Sequence, residues 1–92
     1  MSFFGGVVAN VIQAIRDAKE KVIGLKQTLR AIQQDRVSAV YVANDIDEFL
    51  AKRVLESCRE KQIPLFPVEL GQKELGRICQ IEVGAAVVAL IK

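Results

Sequence analysis

Short β-branched runs alternate with stretches of helical periodicity along the 92 residues, and this alternation limits the folds open to the chain more than any other feature. "SAVYVA" (Ser38–Ala43) is β-branched and aromatic between polar flanks, the pattern of a buried strand. "IPLFPV" (63–68) is a short extended piece whose prolines, Pro64 and Pro67, suit a sheet edge or its margins, because proline cannot donate to a ladder. "AAVVALI" (85–91) is a final apolar strand. Leu25, Leu29 and Ile32 recur at i, i+4 and i+7, one buried face of a helix. "DIDEFLAKRVLESCREKQ" (45–62) follows, with Asp45 and Asp47 as N-caps and Leu50, Val54, Leu55 and Cys58 as an apolar stripe. Lys52 and Glu56, four apart, form its solvated face. "GQKELGRIC" (71–79) is a short helix and "QIEVG" (80–84) a loop. Val8, Val11, Ile12 and Ile15 place one more helix ahead of a short strand before Gly24. The order helix, strand, four times over, predicts an α/β fold: a three-layer α/β/α sandwich around a mostly buried four-stranded sheet.

Ninety-two residues make one core, since a chain of this size buries roughly 60% of its unfolded surface. No repeat, low-complexity tract or linker interrupts it. The net charge of +2 does not announce a nucleic-acid binder, but its distribution is uneven. Residues 16–36 hold six Lys/Arg against three acids, a local +3, whereas residues 37–63 sum to −1 and residues 64–92 to zero. Histidine is absent, which removes the usual general base and the commonest metal ligand together. Cys58 and Cys79 lack metal-type spacing and lie in apolar patterns, so they read as buried thiols of a reducing cytoplasm. The apolar N-terminal run has no basic segment before it and no cleavage site after it, and is too short to span a bilayer. Its tip, Phe3-Phe4-Gly5-Gly6 within residues 1–8, is either disordered or meets a partner.

Three features could carry chemistry. The helix opening at Gly24 begins "GLKQTLR", with Lys26 where the helix dipole favours an acid. Glycine permits close backbone approach, free N–H groups at a helix start attract phosphate, and Lys26, Gln27 and Arg30 extend the donor row on one face. Arg and Lys reach guanine O6 and N7, and Gln suits mixed edges. A plain solvated cationic face accounts for the same residues. In "CQIEVGAA" (79–86), Ile81 and Val83 are apolar side chains in a loop, where they either cover unstacked bases or tuck into the core. "VANDIDE" runs a strand into Asp45, Asp47 and Glu48, as in some Mg²⁺-dependent phosphatases; the rest of that apparatus is missing, and N-capping explains the acids more economically.

Together, "VIGLKQTLRAI", "VYVANDID", "CREKQIPLFPV" and "ELGRICQIEVGAAVVAL" resemble the kink-turn-binding ribosomal protein family L-seven-Ae, within the L-thirty-e superfamily, and especially its small bacterial members, in which G-x-K-Q-T replaces G-x-N-E. The resemblance spans about residues 14–91. It implies an L-thirty-e-like sandwich with a mixed sheet, and RNA binding at a kink-turn, a duplex bent at a three-nucleotide bulge beside tandem sheared G·A pairs. Lys26 stands where the family has Asn, Gln27 where it has Glu, and Arg30 where it has Lys, so the hydrogen bonds to the guanines must differ in detail. Ile81, Glu82 and Val83 match the apolar loop over the bulge. Asp47 matches an acidic position beside the bulge pocket, and Lys73 lies near a basic one. Glu48 replaces a proline common in the family.

The expectation is therefore a single RNA-binding domain over residues 1–92, cytoplasmic and monomeric, with no enzymatic activity, cofactor or membrane contact, associated with the ribosome or like a ribosomal protein. Its RNA-binding residues are Gly24, Lys26, Gln27, Arg30, Ile81, Glu82 and Val83, with Asp47 and Lys73. The rivals are a ribonucleoprotein component acting mainly through protein contacts of the N-terminal segment, and the Mg²⁺-dependent phosphatase.

Overall fold

The computed structural model describes residues 11–92. The expectations for residues 1–8, including Val8 and the Phe3-Phe4-Gly5-Gly6 tip, lie outside them. Residues 11–17 are helical (α1), followed by β1 (Lys21–Ile23), α2 (Leu25–Gln33), β2 (Val37–Val42), α3 (Glu48–Lys61), β3 (Leu65–Pro67), α4 (Gln72–Ile78) and β4 (Val87–Ile91). The strands form one sheet in the order β1-β4-β2-β3. β4 is antiparallel to both neighbours, and β2 and β3 are parallel, as the α3 crossover between them requires. β3 is the edge strand that Pro64 and Pro67 foretold, with Phe66 stacked on Tyr41 at 5.5 Å between ring centroids.

Side chains alternate through the sheet into two cores. Ala31 and Ile32 of α2 and Val54 and Cys58 of α3 meet Val37, Val40, Val42, Val87 and Ala89 on one face. Val11 and Ile15 of α1 and Leu75 of α4, with Cys79 just beyond it, meet Tyr41, Ala43 and Val88 on the other. This is the expected three-layer sandwich. Val37, Val40, Val87 and Val88 are fully buried, each stabilising the fold by about 1.5–3 kcal/mol relative to exposure.

Two expectations need correcting. Leu55 is 36% exposed and does not belong to the buried stripe of α3, because it lies about 100° around the helix from Val54. Asp45 does not cap α3: Asp47 alone does so, its Oδ1 accepting from the N–H of Phe49 (2.9 Å) and of Leu50 (3.3 Å). The buried face of α2 also contains Thr28, fully buried with its hydroxyl lacking a partner among the described residues, while Leu25 and Leu29 are only half-buried.

Candidate nucleic-acid interface

The topology collects the chain's candidate residues at one edge of the sheet. β1, β2 and β3 run the same way, so their carboxyl ends share that edge; β4 runs against them, so the loop entering it arrives there too. Gly24 N–H donates to Val87 O (2.9 Å), Ala43 N–H to Ala86 O (2.9 Å) and Asn44 N–H to Leu70 O (2.9 Å), stitching the segments side by side. Across the edge the order is the start of α2, loop 80–86, the β2–α3 loop and the start of α4. In open α/β sheets, ligands bind in such a crevice outside the carboxyl ends of the strands, where strand order switches.

Three helices start at this edge, so three sets of unpaired N–H groups face it. α3 is capped by Asp47. α4, whose N-cap residue is Gly71, is capped from a distance: Asp45 Oδ1 accepts from Gln72 N–H at 2.9 Å. Among the described residues, α2 begins at Gly24 with no side-chain cap, and its first turn holds no acid. Gly24 has φ 108°, a conformation that favours glycine, and a Cβ there would sit 2.9 Å from Gln27 Oε1. Lys26, Gln27 and Arg30 are exposed beside this start, and neither cation takes part in an ion pair among the described residues. They form the face expected from spacing.

The apolar loop divides. Ile81 is half-buried against the core, its N–H donating to Gly76 O (3.1 Å), whereas Val83 is 71% exposed. Glu82 is exposed next to it. Asp47 is exposed despite its capping bonds, and Lys73 is exposed on the first turn of α4. The edge is therefore divided in charge, with Lys26 and Arg30 on the β1 side, Asp47 and Glu48 on the β2 side, and an apolar loop between them.

Among the described residues, no three acidic, Cys or His side chains are grouped as for a metal ion, and no helix is long and apolar enough to cross a membrane. Both cysteines are free and buried; burial pushes both thiols up, and the Lys21 charge partly offsets this at Cys79. What sequence reading missed is that Asp45 caps α4 rather than α3. No local pattern signals a side chain that caps a helix 27 residues away.

An α/β/α sandwich that gathers three helix starts and an apolar loop on one edge of a mixed four-stranded sheet defines a fold class. Within that class, the chain belongs to the Ribosomal protein L7Ae/L30e/S12e/Gadd45 family, whose model matches residues 7–92. It is 44% identical over 70 residues to a protein of Caldanaerobacter subterraneus subsp. tengcongensis named as an RNA-binding protein, covering 76% of this chain and 84% of that one. It is 36% identical over 80 residues to the RNA-binding protein YbxF of Geobacillus stearothermophilus, covering 87% and 96%. Among solved structures, its fold matches the Giardia lamblia 15.5kD RNA binding protein with TM-score 0.80 at 18% identity, over 100% of this chain and 77% of that one. The family's description and the relatives' names are those of ribosomal and RNA-binding proteins, not of enzymes.

Proposed function

We propose that the protein binds RNA and recognises kink-turns. The observation that carries this reading is the contrast among the helix starts: α3 and α4 are neutralised by aspartates, while α2 keeps its N–H groups uncapped beside exposed Lys26, Gln27 and Arg30. A bare positive dipole end with added donors suits phosphate and guanine edges. Gln27, Lys26 and Arg30 read the guanines of the G·A pairs, and the amides near Gly24 position the backbone. Lys26 donates only, so it serves O6 or N7 and not a guanine amino group.

The neighbouring loop supplies the second half. Val83, with Ile81 behind it and Glu82 beside it, covers the unstacked bulge nucleotides, and Asp47 lies where a base edge can donate to it. Lys73 adds a cation for the phosphate chain. The protein then stabilises the kinked RNA over its extended form by its differential affinity for the two. Kinship to named RNA-binding proteins supports RNA as the partner, and the family description supports a place on or near the ribosome.

Electrophoretic mobility shift with a standard kink-turn, beside one whose G·A pairs are replaced by Watson–Crick pairs, tests the reading. Preference for the first, weakening as salt rises, is expected; equal binding to both overturns kink-turn recognition. A second reading, a ribonucleoprotein component held by protein contacts, draws on a largely apolar groove of about 900 Å³ between α3 and the β3 edge, where Phe49 is 70% exposed. Co-sedimentation with ribosomes after Phe49→Ala, compared with Gln27→Ala, separates the two.

A further inference from the structure

Helix α4 is gripped from both sides at its first turn. From the β2–α3 loop, Asp45 Oδ1 accepts from Gln72 N–H (2.9 Å), the Gln72 side-chain amide donates to Asp45 O (3.4 Å), and Asn44 N–H donates to Leu70 O (2.9 Å). From the loop entering β4, Ala85 N–H donates to Gln72 O (2.9 Å). Residue 72 therefore joins, through its N–H and C=O, the loop carrying Asp47 to the loop carrying Val83. Glycines permit the close approach: a Cβ on Gly71 would lie 3.1 Å from Asp45 Oδ2, and one on Gly84 3.2 Å from Gln72 Cβ. Asp45 is exposed, so it adds little to the core.

Resting on the kink-turn reading, we infer that Asp45 is a positioning residue of the RNA face. Its carboxylate holds the Asp47 loop and the Val83 loop in one rigid register through the backbone N–H and C=O of Gln72. It does so without touching RNA and without affecting α2, whose anchor is the separate Gly24–Val87 bond. Bulge recognition then depends on Asp45, and reading of the G·A pairs does not.

The test measures binding of wild type, Asp45→Ala and Asp45→Asn to a kink-turn and to an RNA that keeps the G·A pairs but lacks the bulge. Asp45→Ala should lose at least about fivefold on the bulged RNA, the scale of a lost helix cap, and bind the bulge-free RNA as wild type does. Asp45→Asn keeps an acceptor at Oδ1 and should stay within about threefold of wild type on both. Amide exchange without RNA should quicken at Gln72 and Ala85 in Asp45→Ala while Val88 stays protected. Equal losses on both RNAs, or no loss on either, overturns the assignment even when wild type prefers the kink-turn. If wild type shows no preference for the bulged RNA, the kink-turn reading fails and this role with it, while the exchange data still report whether the clasp exists.

Discussion

Gln27 sits where two demands meet. Its side chain lies over Gly24, so it is held near the bare amides of the helix start while remaining exposed. An amide both donates and accepts, which neither Lys26 nor Arg30 can do. Gln27→Ala and Arg30→Ala should each weaken kink-turn binding by about 1–3 kcal/mol, measured by titration of labelled RNA. Lys52→Ala should cost little, because Lys52 lines the groove between α3 and the β3 edge rather than the face of α2. A loss at Lys52 as large as at Gln27 would move the site to that groove. Spacing places Gln27 on the exposed side of α2, away from the face of Leu25, Leu29 and Ile32. It could not find Thr28, because a hydroxyl does not register in an apolar pattern although its methyl packs like one.

At the level of elements, α4 and the loop after it form a single unit. The two approach so closely at Gly76 that a Cβ there would run into the Val83 carbonyl and lie 3.1 Å from Gly84 Cα. Alanine would favour the helix itself by about 1 kcal/mol. The collision is with backbone, which cannot swing aside as a side chain can, and overpacking of this kind typically costs 1–3 kcal/mol. Gly76→Ala should therefore be net destabilising in urea denaturation and should weaken bulge-dependent binding. The elements themselves were readable because their signals are local: period 2 or an apolar run for the strands, period 3.6 for the helices, prolines at the edge. What joins them was not. Asp45 precedes α3 by sequence and looked like its cap, yet it serves α4, because the topology places the end of β2 beside the end of β3. Ile81 and Val83 are equivalent in the loop by sequence, and only their burial, Ile81 packed against the core and Val83 exposed, shows which one turns inward.

For the whole molecule, the two free thiols give a pH signature. Burial raises Cys58 and Cys79 above the ordinary value of 9.0, so the folded state holds its thiol protons to higher pH than the unfolded chain does. Below about pH 9 both states are protonated and the thiols contribute their full stability. Above it the unfolded chain ionises first, and stability falls as pH climbs toward the folded values. The urea midpoint should decline as pH rises above about 9, and Cys58→Ala with Cys79→Ala should remove part of that slope. In the same way, a thiol reagent should react slowly with native protein and quickly in denaturant.

The sheet order carries a consequence for how the protein is made. β1 pairs only with β4, and β1 and β2 are neighbours only through it, yet β4 is the last of the four strands to be synthesised. A nascent chain that has produced β1 to β3 can form the parallel β2–β3 pair and pack α2 against α3, but β1 has no strand to pair with and loop 80–86 has nowhere to land. The proposed RNA-binding edge is therefore incomplete without β4, which brings loop 80–86 beside Gly24 and Gln72. A chain that stops before β4 lacks the Gly24–Val87 and Ala85–Gln72 bonds, so it should bind RNA more weakly than the finished one.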